Sequence, residues 1–187
     1  MAGKYKKIVI VTGGSSGIGR CTASALRDSG CIVYEFSRRN IPMEGITHLS
    51  VDVTDENAVN SAVKQIIQKE TKIDAVINCA GFGISGAVEF TSTDQAKAQF
   101  NVNFFGTVNV NKAVLPFMRH QGNGHIINIS SVAAVGCDFI TFPVSRGFLV
   151  STLTPAPPAL TAADGKSAPS GAAPRRPRVR RPACRCT

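Results

Sequence analysis

The sequence contains no tryptophan, only two tyrosines and no apolar run long enough for a membrane-spanning helix. Such a helix needs about 18 apolar residues, so a protein that spans the membrane through helices is excluded. The basic N-terminus precedes only Ile8–Val11 as an apolar run, which is too short for a secretory signal. The cysteines are scattered apart from Cys184 and Cys186. This usage predicts free thiols in a reducing, cytoplasmic compartment and no metal site.

Acidic residues are almost missing from the C-terminal part of the chain. Residues 144–187 hold seven arginines and one lysine against one aspartate, whereas the whole chain has a formal net charge of +9. The body of the chain is therefore close to neutral, and its composition gives no reason to expect nucleic-acid binding. The segment 175–181 could contact phosphates through its arginines. It has no aromatic residue for base stacking, so we do not expect nucleic acid as a partner.

Isoleucine disappears where the charge changes. Fifteen isoleucines lie between Ile8 and Ile140, and none follows. From Pro155 the chain is rich in proline, alanine and arginine and cannot bury enough apolar surface to offset its ordering entropy. We therefore predict an incomplete domain over 1–143 and a disordered, non-native tail over 144–187. A shift of reading frame near residue 143 and a natural alternative terminus both explain this change, and the coding nucleotide sequence would distinguish them.

Short β-branched runs alternate with helical patterns in the body. Five runs predict strands, over residues 7–11, 31–36, 47–51, 75–78 and 125–129. The clearest helix follows Thr54, a predicted cap residue, and repeats Val59, Ala62, Val63, Ile66 and Ile67 at helical spacing. Another helix is predicted over residues 103–119. This alternation predicts an α/β fold of the Rossmann type, a doubly wound parallel sheet that ends after the fifth strand.

A glycine-rich segment joins the first predicted strand to a helix over residues 20–27. It consists of Thr12, Gly13, Gly14, Ser15, Ser16, Gly17, Ile18 and Gly19. A diphosphate needs backbone N–H groups at a helix N-terminus, and a side chain at the closest approach would block it. Gly13 allows the tight turn, Gly17 permits the contact and Gly19 lets the helix pack on the sheet. A loop without a ligand is the alternative, but the order of strand, glycines and helix favours a dinucleotide site.

The end of the second predicted strand indicates which dinucleotide binds. An NAD site needs an acid there to accept from the ribose 2′-hydroxyl. The sequence instead ends with Ser37, Arg38 and Arg39, and arginine suits a 2′-phosphate because its planar fork donates bidentately. Glu35 argues for NAD unless the strand alternation turns it elsewhere. NADP(H) is therefore preferred and NAD(H) remains possible, with solvated surface arginines as the alternative interpretation.

Over about residues 5 to 143 the sequence resembles the short-chain dehydrogenase/reductase family. Five motifs carry the resemblance, and one of them has a cysteine, Cys79, where the family has its second asparagine. The motif residues are Thr12, Gly13, Gly17, Ile18 and Gly19; Asp52 and Val53 at the adenine contact; Asn78, Ala80 and Gly81; the active-site asparagine Asn103; and Ser131. Their joint occurrence in the family's order makes separate structural explanations for each motif improbable.

The resemblance implies a reaction and a division of roles. In the family a hydride passes between a nicotinamide and a carbonyl or alcohol carbon of a small-molecule substrate. A tyrosine exchanges the proton, and a lysine four residues later lowers its pKa. Ser131 would hydrogen-bond the substrate oxygen and Asn103 would support a proton-relay water. Phe82, Ile84 and Val88 hint at an apolar substrate, and the family's homo-oligomers are doubtful for this chain.

The catalytic tyrosine and lysine are missing. The resemblance places them near Val144 and Phe148, whereas the only tyrosines are Tyr5 and Tyr34. Beyond residue 112 the only lysine is Lys166. The sequence therefore predicts a catalytically defective member of an oxidoreductase family, with a non-catalytic nucleotide-binding or regulatory fragment as the alternative. A sheet ending at residue 129 would also expose an apolar edge and lower solubility.

Overall fold

The computed structural model describes residues 6–84, 88–131 and 148–153. The strands are β1 Ile8–Thr12, β2 Ile32–Ser37, β3 Ile46–Ser50, β4 Ala75–Asn78, β5 His125–Ser131 and β6 Phe148–Leu153. The α-helices are α1 Gly17–Asp28, α2 Glu56–Glu70, α3 Thr93–Phe100 and α4 Thr107–His120. A 3₁₀ turn spans Val88–Phe90, and a π-helical turn, Asn101–Gly106, joins α3 to α4.

The six described strands form one sheet in the order β3-β2-β1-β4-β5-β6. The first five strands are parallel, which confirms the predicted fold class. Both faces of β1 are buried, as a strand covered by helices on two sides requires. Ile8 and Ile10 pack in the cluster that includes residues of α2 and α4, and Val9 and Val11 pack in the cluster on the α1 side.

Strand β6 differs from the prediction. It pairs antiparallel with β5, with Phe148 opposite Ser131. It lies inside the segment that we predicted to be disordered, so that prediction is corrected for residues 148–153. The expectation that β5 forms an exposed edge is also wrong for the paired residues. The remainder of the predicted tail lies outside the described residues. The sequence did not predict β6 because its apolar run, Phe148–Val150, is only three residues long.

Helix α2 shows how closely the pattern predicted the helices. Val59, Ala62, Val63 and Ile66 are buried as expected. The cap, however, is Asp55 and not Thr54, because the Asp55 carboxylate accepts from the N–H groups of the first turn at 2.9 and 3.1 Å. Among the described residues, no helix is long and apolar enough to cross a membrane.

Candidate functional site

A groove of about 810 Å³ lies at the edge where the parallel strands end. Thirteen of the residues predicted for the site line it: Gly13, Ser15, Ser16, Gly17, Ile18, Gly19, Ser37, Arg38, Arg39, Asp52, Val53, Ala80 and Gly81. Cys79, which lies within a motif, and Phe82, which the sequence suggested as an apolar substrate contact, also line it. Sequence reasoning missed three lining residues, Phe36, Val51 and Val102, and each of them is next to a predicted motif residue, which was the only signal available. The topology therefore brings separate motifs of the sequence to one place, as expected for a parallel sheet.

The three motif glycines differ in what surrounds them. A Cβ at Gly13 would lie 2.8 Å from the Ala80 Cα, and a Cβ at Gly19 would lie 2.4 Å from the Gly13 carbonyl oxygen. These two positions exclude side chains because protein backbone fills the space. Gly17 has φ +52°, and a Cβ there would meet no atom within 4 Å. Gly17 therefore borders open space at the N-terminus of α1, the arrangement that a bound diphosphate requires.

Thr12 supports the groove without lining it. Its side-chain hydroxyl oxygen accepts hydrogen bonds from the backbone N–H groups of Cys79 at 3.1 Å and Ala80 at 3.0 Å. These hydrogen bonds join the end of β1 to the loop after β4, and Thr12 is almost fully buried. Burial also raises the pKa of the neighbouring Cys79 thiol to about 11, which keeps that groove-lining sulfur protonated near neutral pH.

The basic residues at the end of β2 are exposed, whereas the acidic residue of this strand is buried. Arg38 and Arg39 are exposed and line the groove, and the Ser37 hydroxyl donates to the Arg39 carbonyl oxygen at 2.9 Å. Glu35 is fully buried and contacts His48 on β3. The alternation of the strand therefore turns the acid away from the groove and leaves the arginines beside it.

The loop after β3 forms another part of the groove wall. The Asp52 carboxylate accepts from the N–H and hydroxyl of Thr54 at 2.9 and 2.7 Å. Burial opposes ionisation of Asp52, but these bonds and the Arg38 charge outweigh it and hold the pKa of Asp52 below its usual value. Asn109 on α4 donates to the Val53 carbonyl oxygen at 3.0 Å and fixes the loop against that helix.

Asn78 also lies behind the groove. It is buried at the end of β4, and its side-chain amide donates to the side-chain oxygens of Asn111 at 2.9 Å and Asn128 at 2.8 Å. These partners belong to α4 and β5. The Asn78 amide therefore connects three elements around the site, and its side chain holds them together instead of lining the groove.

Replacing Asn78 with alanine is expected to lower the free energy of unfolding by about 2–3 kcal/mol, because two half-buried acceptors lose their buried donor. Urea-induced unfolding followed by circular dichroism measures this loss. Asn57→Ala is the matched control, since Asn57 is exposed on α2 and should change stability by less than about 0.5 kcal/mol. Equal effects of the two substitutions would contradict this account of Asn78.

The two candidate catalytic residues lie near the same edge of the sheet. Asn103 belongs to the π-helical turn, and its amide exchanges two hydrogen bonds with the backbone of Phe82: the N–H of Phe82 donates at 3.0 Å, and the Asn103 amide donates to the Phe82 carbonyl at 2.8 Å. The Asn103 side chain thus fixes the position of groove-lining Phe82. Ser131 is the last residue of β5. Asn103 is not among the described residues that line the groove.

Tyr34, the tyrosine within the described residues, is built into the core. Its ring is buried beside α2, and its hydroxyl donates to the Glu70 carboxylate at 2.6 Å. Burial and this carboxylate raise the pKa of Tyr34 far above its ordinary value. A phenol that is buried, hydrogen-bonded and absent from the groove lining cannot replace the missing catalytic tyrosine.

Most of the chain is similar to a known protein family. Residues 7–142 match the family that is described as "short chain dehydrogenase". The chain belongs to this family. This is a family of oxidoreductases, and the solved structures that are similar to this chain include ElxO with NADP bound.

Individual relatives match part of the chain, and the chain matches part of each relative. A 3-ketodihydrosphingosine reductase from Bacteroides thetaiotaomicron is 48% identical over 132 residues, which are 69% of this chain and 48% of the relative. The ElxO structure has a TM-score of 0.67 at 31% identity and covers 75% of this chain and 60% of its own. A ligand-free aldohexose dehydrogenase from Thermoplasma acidophilum has a TM-score of 0.66 at 33% identity, covering 69% and 51%. The chain spans about half the length of the curated relatives that it matches.

Proposed function

We propose that this chain is an NADP(H)-binding portion of a short-chain reductase and that it does not itself reduce carbonyl compounds. The placement of the β2 residues carries this proposal. Arg38 and Arg39 lie beside the groove, whereas Glu35, the acid that could accept from a ribose 2′-hydroxyl, is buried and paired with His48. Ser37, Arg38 and Arg39 would hold the 2′-phosphate, and Ser15 to Gly19 would hold the diphosphate.

The other proposed contacts follow from the same groove. Asp52 and Val53 would border the adenine, and Ala80 and Gly81 would border the nicotinamide half of the cofactor. When bound, NADP(H) supplies the hydride that a reductase of this family transfers. Ser131 and Asn103 retain their proposed roles toward the substrate oxygen and a relay water in the whole protein. We infer a ketone as the substrate class from the name of the Bacteroides relative, and exposed Phe82 at the groove is compatible with an apolar one.

Arg38→Ala is expected to weaken NADPH binding by at least about tenfold, because hydrogen bonds to a charged group contribute about 1.5–3 kcal/mol. NADH lacks the 2′-phosphate, so its affinity should change little. Isothermal titration calorimetry with both cofactors measures the difference. Arg119→Ala removes the same charge from the last turn of α4, outside the groove lining, and should leave both affinities unchanged.

Two outcomes would overturn parts of this proposal. Equal loss of NADPH and NADH affinity in Arg38→Ala would contradict a 2′-phosphate contact. Absence of any NADPH binding by the unmodified chain would contradict the cofactor-binding function. The second candidate, a regulatory nucleotide binder, rests on the same groove, and it is favoured if bound NADPH changes the association of this chain with its full-length relatives.

A further inference from the structure

A buried acid lies directly beneath the proposed diphosphate-binding loop. Glu35 occupies the middle of β2, between Val11 of β1 and His48 of β3, and it is fully buried. Strand alternation places it on the same face as Val33, in the apolar layer under α1. Burying a carboxylate among apolar groups is costly unless a partner compensates for its charge.

His48 is that partner. Its Nδ1 lies 2.6 Å from Glu35 Oε2, and atoms of this kind approach so closely only with a proton between them. The second oxygen, Glu35 Oε1, and the second ring nitrogen, His48 Nε2, are buried and have no hydrogen-bond partner among the described residues. The charge of the acid is therefore compensated from one side, by a single contact.

The uncompensated side of Glu35 faces the glycine loop. A Cβ at Gly14 would lie 2.3 Å from Glu35 Cγ and 3.2 Å from Oε1. The Glu35 side chain thus fills the space under Gly14, so a side chain at position 14 would displace either the acid or the loop. A negative charge at this place also opposes the binding of a diphosphate on the other side of the loop.

We propose that Glu35 and His48 are positioning residues for the cofactor: Glu35 supports Gly14 from beneath, and His48 compensates for its charge. This inference rests on the proposed binding of NADP(H) to the groove. It gives Glu35 on β2 a role that does not involve contact with the ribose. It also explains why the loop has glycine at position 14, where the backbone has no positive φ that would require one.

The charge part of the proposal is tested with His48→Leu and the double variant Glu35→Gln/His48→Leu. We expect His48→Leu to raise the Kd for NADPH at least about tenfold through the uncompensated charge of the acid. Adding Glu35→Gln should restore the Kd to within about threefold of the unmodified chain, because it removes that charge. If the double variant binds as weakly as His48→Leu, packing alone explains the histidine and the proposal fails.

The steric part is tested with Gly14→Ala and Gly14→Ala/Glu35→Ala. Gly14→Ala should weaken NADPH binding. Adding Glu35→Ala should restore it, because the Cγ atom of Glu35 is then no longer under the loop. Additive losses would overturn the proposal. His48→Asn serves if His48→Leu does not fold by circular dichroism: its amide can donate to Glu35 but carries no charge, so the same tenfold rise of the Kd and the same rescue by Glu35→Gln are expected, and an unchanged Kd would contradict us. If the unmodified chain does not bind NADPH, the proposed function is overturned together with this inference. If the unmodified chain binds NADPH but the losses of affinity in the variants are additive, only this inference is overturned.

Discussion

Gly17→Leu is expected to raise the Kd for NADPH at least about hundredfold, which corresponds to nearly 3 kcal/mol. A side chain at Gly17 enters the open space at the N-terminus of α1, where a Cβ meets no protein atom within 4 Å. The new side chain would therefore occupy the volume that the diphosphate needs. Its cost to folding is limited to the backbone, because a positive φ costs an L-residue about 1–2 kcal/mol.

Gly30→Leu provides a matched control for this substitution. Gly30 follows the C-terminal end of α1 and has φ +87°, and a Cβ there would likewise meet no atom within 4 Å. Both variants should lose similar stability in a thermal melt, yet only Gly17→Leu should lose NADPH binding in calorimetry. Binding by Gly17→Leu within about threefold of the unmodified chain would contradict the position of the diphosphate.

The second large effect concerns turnover. With NADPH and a panel of carbonyl compounds, this chain should react at least about a hundredfold more slowly than the full-length Bacteroides reductase, because general acid catalysis alone contributes about 10²–10⁴-fold. The sequence has no Tyr-x-x-x-Lys, and the phenol of Tyr34 is buried against α2. Loss of NADPH absorbance measures the rate.

Cofactor binding is the control that gives this result its meaning. A chain that binds NADPH and does not turn over has lost proton transfer, whereas a chain that does neither has lost the groove. A rate within about tenfold of the full-length relative would show that another group supplies the proton. In that case the proposal of a defective chain would have to be abandoned.

The parts of the structure that the sequence predicted depend on strong local patterns. The buried strand Ile8–Thr12 and the helix Glu56–Glu70 have unambiguous apolar spacing, and the structure confirms both. The glycine segment was informative because its order with strand and helix is chemically constrained. The groove could then be predicted from topology alone, since parallel strands end at one edge.

The remaining features depend on contacts between distant residues. Nothing near Glu35 in the sequence indicates that His48 lies beside it, because that pairing follows from the register of β2 with β3. The same holds for the amide of Asn78, whose partners are 33 and 50 residues away. Strand β6 was missed because pairing across the sheet, not local composition, determines its conformation.

The π-helical turn Asn101–Gly106 braces the groove at two separate points. Gly106 packs so closely on Val53 that a Cβ would lie 2.5 Å from its methyl carbon, and Asn103 fixes the backbone of Phe82. Both Val53 and Phe82 line the groove. A rotation of this one turn would therefore move Val53 and Phe82 together, and with them two separate parts of the groove wall.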